Sequence, residues 1–452
     1  MRLGIFSGEA YLAAPLWLRL CALLSLLSTA ALYISLPVPH SMALRNILIL
    51  LSFLSGILLI IKSGLVCEIL CARTIGILLL LLGWVTFHAT FLSANGGEAW
   101  EELWGQWYKP YLAMVGGIGC ALSAGYVQRR VWGSILVGAL MILPLWFVVH
   151  SAVVWIRKGE LVNQYIGLFV HKLGFVPFVE IMAAFALARL SAHVKTGMKT
   201  KIVIWLIPIV ASYYIALITD TKNTLLMLTL MSGVFIAVEL YRRPQSANSR
   251  LHMALVVIMA AVAVAGIYGS LKKSSQWASF TNDAKVAIDI DGTRNWENRS
   301  KYGLPKNARN EEVSESTYLR VAYAVAGVRE LAEHPLGYGV TRHAFERLVQ
   351  LRNPEASIAN SHSGYIDLVA SVGIPALILL LAAEIALIKQ ACRNIAEHNH
   401  MIWILSLIML HWAIDPLSRD QHVYALFLLM GYFSIAVSQK KGKDAIGNLR
   451  AG

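Results

Sequence analysis

The chain has 452 residues; 57% are apolar, only 14% are charged, and the formal net charge is +13. An average soluble chain is about 25% charged. Here runs of about 20 apolar residues, each enough to cross a hydrocarbon core of about 30 Å, recur throughout. These figures exclude a soluble enzyme, a disordered chain and a disulfide scaffold, and they predict an all-α polytopic membrane protein.

Twelve spans are predicted, near residues 15–36, 43–61, 74–92, 109–127, 131–155, 166–188, 202–218, 221–240, 251–271, 363–388, 400–414 and 421–438. The first is too long and too poorly matched to a cleavage site for a removable leader, and reads as a signal anchor. The charges between spans set the orientation. One set of connections and tails holds eighteen lysines and arginines, from Arg2 and Lys62 to Lys441 and Arg450. The short connections of the other set hold seven: Arg45, Lys109, Arg157, Lys158, Lys172, Lys222 and Arg419. The excess of Lys and Arg marks the first set as cytoplasmic and puts both termini there. It also accounts for the basic balance, with some attraction to anionic lipid, so no nucleic-acid partner is expected.

Between the third and fourth spans, Trp100, Trp104, Trp107 and Tyr108 read as an interfacial aromatic belt, with sugar stacking as the other use. His88 and Glu180 fall within or near spans, where ionisable groups are costly and point to function. Glu239 and Glu384 lie closer to cytoplasmic ends and read as ordinary. The five cysteines sit in spans or on the reducing side, which argues against structural disulfides; Cys67 and Cys71 alone make a poor zinc site. No repeat, P-loop or zinc motif is present, and no metal is expected.

The turn into the eighth span is Thr219-Asp220-Thr221-Lys222-Asn223-Thr224. Thr219, Asp220 or Thr221 can cap that helix, which leaves the Lys222 cation at a positive helix end. Either a bound anion such as phosphate resolves the conflict, or the lysine snorkels to the headgroups.

Residues 272–359 interrupt the apolar pattern with thirteen Lys/Arg and eleven Asp/Glu. The stretch from Asn282 to Glu315 reads as loop. Ser316 to Tyr318 can start a helix through Glu333, with an apolar stripe from Leu319 to Leu331. Arg320 on this helix either holds a phosphate bidentately or is simply solvated. His334-Pro335-Leu336-Gly337-Tyr338-Gly339 breaks the helix, and a second short one is expected near 341–352. Arg342/His343 and Arg157/Lys158 are further outer-side cations, and together such groups would make an electropositive cavity able to hold a diphosphate. A loop of this size with its own helices usually carries function. The chain thus divides into residues 1–271 with nine spans, a helical loop domain over 272–361, and residues 362–452 with three spans and a tail.

Asn360-Ser361-His362-Ser363-Gly364-Tyr365-Ile366-Asp367 opens the tenth span. With Asn360 or Ser361 as N-cap, His362 falls in the first turn, where the helix end disfavours imidazolium. A neutral ring there either accepts a proton from a hydroxyl nucleophile or hydrogen-bonds a neighbouring loop. Asp415-Pro416, ending the eleventh span, either orients a cation or stops the helix.

Three of these stretches, in this order, resemble the O-antigen ligase and polymerase family. Thr219 to Leu226 looks like its Ser-x-Ser-Arg-Gly helix start, with Lys222 and Asn223 in place of the arginine and glycine. Arg320 to Gly339 looks like its Arg-containing helix followed by His-Pro-Leu-x-Gly-x-Gly. Ser361 to Ile366 with Val372-Gly373-Ile374-Pro375 is similar to its His-Asn-x-x-Leu…Gly-Ile-Pro signature, with Ser363 in place of the asparagine. The resemblance covers roughly residues 219–380.

The resemblance implies a GT-C-like bacterial inner-membrane glycosyltransferase with its active site facing the periplasm. Its donor would be a glycan on undecaprenyl diphosphate, and its acceptor a sugar hydroxyl of lipid A core. Metal and cofactor would be unnecessary. It implies that His362 is the general base and that Arg320 binds the diphosphate. Lys222 would do so as a point charge rather than a planar fork, with Arg157 and Arg342 adding to the field. A single displacement under the large loop, which would exclude water, implies inversion at the anomeric carbon. O-antigen polymerases and protein O-oligosaccharyltransferases of the same family share the donor. A twelve-helix secondary transporter is the rival of a different class.

Overall fold

In lipid every backbone polar group must be satisfied within the segment, so apolar spans fold as helices. The computed structural model follows that rule. It describes residues 14–159, 172–196, 198–242, 249–273, 276–358, 360–416 and 420–438. Arg2, Arg419, most of the basic tail and the start of the predicted sixth span lie outside these residues. Among the described residues there is no strand, only an isolated bridge between Lys306 and Glu312.

The membrane part consists of α1 (Leu16–Ser35), α2 (Met42–Ser63), the short α3 (Val66–Leu70), α4 (Arg73–Phe91), the short α5 (Gly96–Glu102), α6 (Lys109–Leu122), α7 (Arg129–Lys158), α8 (Lys172–Thr196), α9 (Lys199–Ile218), α10 (Lys222–Arg242) and α11 (Ser249–Lys273). After the extramembrane segment follow α16 (Gly364–Cys392), α17 (Ile395–Ile414) and α18 (Asp420–Ala436). Each of the twelve predicted spans coincides with one helix. Among the described residues, nine are long and apolar enough to cross a membrane; α6, α17 and α18 are not among them. α6 has 14 residues, a rise of about 21 Å. α17 carries Glu397, His398, Asn399 and His400 in its first two turns, which lowers its apolarity.

Small residues let these helices approach closely, as expected where lipid removes the usual hydrophobic drive. A Cβ added at Gly117 of α6 would lie 2.1 Å from the Leu428 carbonyl oxygen of α18, and one at Gly431 would lie 2.2 Å from that of Met114. On the outside, Ile47, Leu50, Leu54, Leu58 and Ile61 of α2 are exposed at three- to four-residue spacing, a lipid-facing stripe.

The polar segment is folded. It contains α12 (Gln276–Ile288), α13 (Arg299–Tyr302), α14 (Glu315–Glu333) and α15 (Ala344–Arg352). The region from Asn282 expected as loop therefore carries helix. A second core of Trp296, Tyr318, Ala322, Ala326, Phe345 and Leu348 holds it together. Trp296 is fully buried and donates to the Ile290 carbonyl at 2.9 Å. Asp283 accepts from Asn307 Nδ2 at 3.0 Å, the Ser314 N–H at 2.9 Å and Ser279 Oγ at 2.7 Å. The cap of α14 is Ser314, two residues before the predicted start.

Candidate functional site

The turn between α9 and α10 is held by the Thr219 and Thr221 hydroxyls, 3.0 Å apart, with Asp220 in the left-handed region at φ 50°. α10 then begins at Lys222, which is half-buried at a positive helix end. Its neighbour Asn223 reaches two other elements. Asn223 Oδ1 accepts from Arg320 Nη1 of α14 at 2.6 Å, and Asn223 Nδ2 donates to the Ile414 carbonyl at the end of α17 at 3.1 Å.

Arg320 is thereby drawn down from the extramembrane domain onto the membrane helices. Burial lowers its guanidinium pKa, and the Asp415 carboxylate acts in the opposite sense; an arginine stays cationic through such a shift. Its Nε is shielded from solvent and has no hydrogen-bond partner among the described residues. Asp415 is buried in turn. Its Oδ2 lies 3.0 Å from His411 Nε2, and His411 Nδ1 lies 2.9 Å from Glu180 Oε2 of α8. A buried Glu180–His411–Asp415 chain thus runs from the membrane helices to the foot of Arg320. Such intramembrane charges are expensive and are kept for function by default.

The third motif meets this layer. The N-cap of α16 is Ser363, whose Oγ accepts from the Ile366 N–H. His362 therefore precedes the helix instead of lying in its first turn. Its backbone is left-handed, φ 58°, and its N–H is held by Asn360 Oδ1 at 3.2 Å. Its ring stacks on Tyr323 of α14, 5.9 Å between centroids and 20° between planes. Tyr323 lies one turn beyond Arg320, so one helix presents both partners. Burial pushes the Tyr323 phenol up to about 12, which keeps it neutral. The Gly364 N–H donates to the Asp415 carbonyl at 2.8 Å and ties the head of α16 to the foot of α17.

The His334–Gly339 turn and the Val372-Gly373-Ile374-Pro375 stretch form one backbone lock. Gly373, at φ 81°, and Pro375 break α16 and free carbonyls in its preceding turn. The Tyr338 N–H takes the Ala370 carbonyl at 2.7 Å, and the Gly339 N–H takes that of Ser371 at 3.0 Å. The Ile374 N–H goes back to the Pro335 carbonyl at 2.9 Å. Trp84 Nε1 donates to Val372 at 2.7 Å, and His88 Nε2 donates to Leu336 at 2.7 Å. Gly337, at φ 80°, is required here, because a Cβ would lie 2.7 Å from the Val369 carbonyl oxygen. His88, suspected as an intramembrane polar group, is thus a clamp on this turn.

Of the sequence-derived site residues, Lys222, Arg320 and His362 meet around Asn223 and Tyr323. Arg342 stands elsewhere. It lines a separate cleft of about 910 Å³ open to solvent, with its Nε 3.1 Å from Glu102 Oε1. Arg157 is exposed at the C-terminal end of α7, where a cation suits the helix dipole. Among the described residues no hydrogen bond or ion pair joins it to the others. Glu239 and Glu384, expected to be ordinary, are buried, and Glu239 Oε1 accepts from Ser191 Oγ at 2.6 Å. One group with metal-ligand chemistry, Glu330, Glu333 and His334, stands among the described residues. Arg352 pairs with Glu333 at 2.5 Å and lies 3.5 Å from Glu330, so a cation already serves these carboxylates. Sequence reasoning missed Asn223, Tyr323 and His411 as site residues. Their only sequence signal was position beside a motif, or a polar residue inside an apolar run.

Fold and site together define a polytopic all-α membrane protein with a cationic layer at its loop-bearing end. Residues 207–381 match a family model described as O-antigen ligase, a stretch that takes in all three motifs, and this part of the chain is similar to that family. The match supports a glycosyltransferase of the O-antigen ligase or polymerase type, in lipopolysaccharide biosynthesis. Comparison with curated proteins gave no match.

Proposed function

We propose that the chain transfers O-antigen polysaccharide from undecaprenyl diphosphate to a sugar hydroxyl of lipid A core, at the periplasmic face of the inner membrane. The observation that carries this reading is Arg320: a half-buried arginine, tied to the turn that bears Lys222 and one helical turn from the partner of His362. Arg320 and Lys222 bind the diphosphate; Arg342, paired with Glu102, and Arg157, exposed at the end of α7, take no part in holding it.

The acceptor oxygen attacks the anomeric carbon while the bond from that carbon to the diphosphate breaks. The leaving diphosphate takes the electron pair, and the cations stabilise it as its charge develops. His362 takes the hydroxyl proton. A single displacement inverts the anomeric carbon, and no metal is called for.

The test mixes purified protein with the lipid-linked polymer and lipid A core, without metal or ATP, and looks for a ladder of modified core on a gel. A ladder from wild type that disappears with His362→Ala supports the ligase. A longer lipid-linked polymer in its place indicates the polymerase. Neither product from folded protein refutes the transfer reading and favours transport. Retention at the anomeric carbon, read by NMR of the product, would refute the single displacement.

A further inference from the structure

The cleft that Arg342 lines is distinct in chemistry from the cationic layer. It lies between the segment 102–107, the start of α15 and the head of α16, and opens to solvent with about 910 Å³ of free space, part of it open solvent. Three carboxylates, Glu102, Glu346 and Asp367, line it against the single guanidinium of Arg342, which is itself engaged by Glu102. A diphosphate would be repelled by that balance. A neutral, hydroxyl-rich ligand would not.

The walls suit a sugar. Trp107, half-buried, offers aromatic surface, and Gln106 and Asn360 offer amides that both donate and accept. Asp367 offers more. Its Oδ1 accepts from the Ser361 N–H at 3.0 Å, whereas its Oδ2 is shielded from solvent without a partner among the described residues. An unsatisfied carboxylate oxygen is costly, and a hydroxyl donor would make a short, charge-assisted hydrogen bond to it. The other two acids are served, Glu102 by Arg342 and Glu346 by the Ile358 N–H at 3.1 Å. Asn360 both lines the cleft and holds the backbone of His362, so a ligand in the cleft sits beside the histidine loop.

We infer that this cleft is a saccharide-binding subsite in which Asp367 accepts a hydrogen bond from a sugar hydroxyl. The inference rests on the transfer reading only for which saccharide is bound, the acceptor core or the transferred glycan.

The test uses the full chain in detergent and saturation-transfer NMR, with lipid-free core oligosaccharide in one arm and lipid-free O-polysaccharide in the other. At least one is expected to bind, and about tenfold more weakly to Asp367→Asn, the loss of one charge-assisted hydrogen bond. Gln106→Ala, at a half-buried position of the 102–107 segment that lines the same cleft, is expected to weaken the same saccharide and keeps the test informative if Asp367→Asn does not fold. Whichever saccharide binds names the occupant. Failure of both to bind, or binding indifferent to both substitutions, overturns the inference. Saccharide binding that depends on Asp367 in a protein that transfers no glycan leaves the subsite standing and removes the transferase reading. Glycan transfer with saccharide binding indifferent to both substitutions does the reverse.

Discussion

Arg320 and Asn223 show how two residues make a site from three elements. The guanidinium comes from the extramembrane domain, the amide from the first turn of α10, and the amide's other hydrogen bond goes to the end of α17. In the family pattern a glycine follows the motif cation; here Asn223 stands there and fastens Arg320. Asn223→Gly is expected to remove both bonds, costing about 1–3 kcal/mol, and to lower the thermal midpoint in detergent while weakening donor binding. Arg320→Lys keeps the charge but loses the planar fork. It is expected to raise the donor KM about tenfold or more, for a lost interaction of about 1.5–3 kcal/mol, with little change in melting. Equal donor KM values for Arg320→Lys and wild type would contradict the placement of the diphosphate. The two site cations and the histidine in the motifs were legible as residue types in a pattern. What each touches was not, because Asn223 and Tyr323 carry no signal until α14 is laid across α10 and α16.

The broken α16 and the turn before α15 carry the same lesson for elements. In sequence the His-Pro-Leu stretch read as a helix break, and the Gly-Ile-Pro stretch only as part of a motif within the tenth span. They are one lock, and its bonds are mostly backbone to backbone, which leaves glycine and proline as the only trace in sequence. Gly337→Ala places a Cβ 2.7 Å from a carbonyl oxygen at φ 80°, and the strain alone is about 1–2 kcal/mol. A clear drop in thermal midpoint is the expected result. The start of α16 was misread because Asn360, Ser361 and Ser363 are all good caps; Ser363 caps it, and His362 is released from the helix.

The stretch from Asn282 looked like loop because it is polar and rich in Asn and Asp. Its helix is held by tertiary bonds to Asp283. Burial alone would raise that carboxyl, but the bonds from Asn307, Ser314 and Ser279 outweigh it and hold it below 3.8. A carboxyl lowered in the folded state contributes stability that is full above 3.8 and fades as pH falls below it. Acid unfolding of the extramembrane domain in Asp283→Asn should therefore lose part of the wild type's dependence on pH below about 4. An identical acid transition in both proteins would contradict this role.

For the whole molecule, composition and span periodicity were enough to read an all-α multi-pass protein, and each predicted span coincides with a helix. The lengths of α6, α17 and α18 were less legible, because apolar composition does not record where a short helix gives way to a π-helical or polar turn. The orientation expected from the uneven loop charge is open to direct labelling. Cys67 and Cys71 are exposed at the end opposite the predicted outer face. A membrane-impermeant maleimide added to intact cells should leave both unmodified while modifying Glu312→Cys, which is exposed in the extramembrane domain. Labelling of the native pair alone would invert the topology and move the site to the other face.

The assignment of roles is tested most directly by following donor binding and donor consumption separately, with purified protein, undecaprenyl diphosphate-linked polymer and lipid A core. The predicted result is a split: His362→Ala binds the donor as wild type does and transfers nothing, whereas Arg320→Ala loses donor binding itself. Transfer by His362→Ala at the wild-type rate, or unaltered donor binding by Arg320→Ala, would contradict the account.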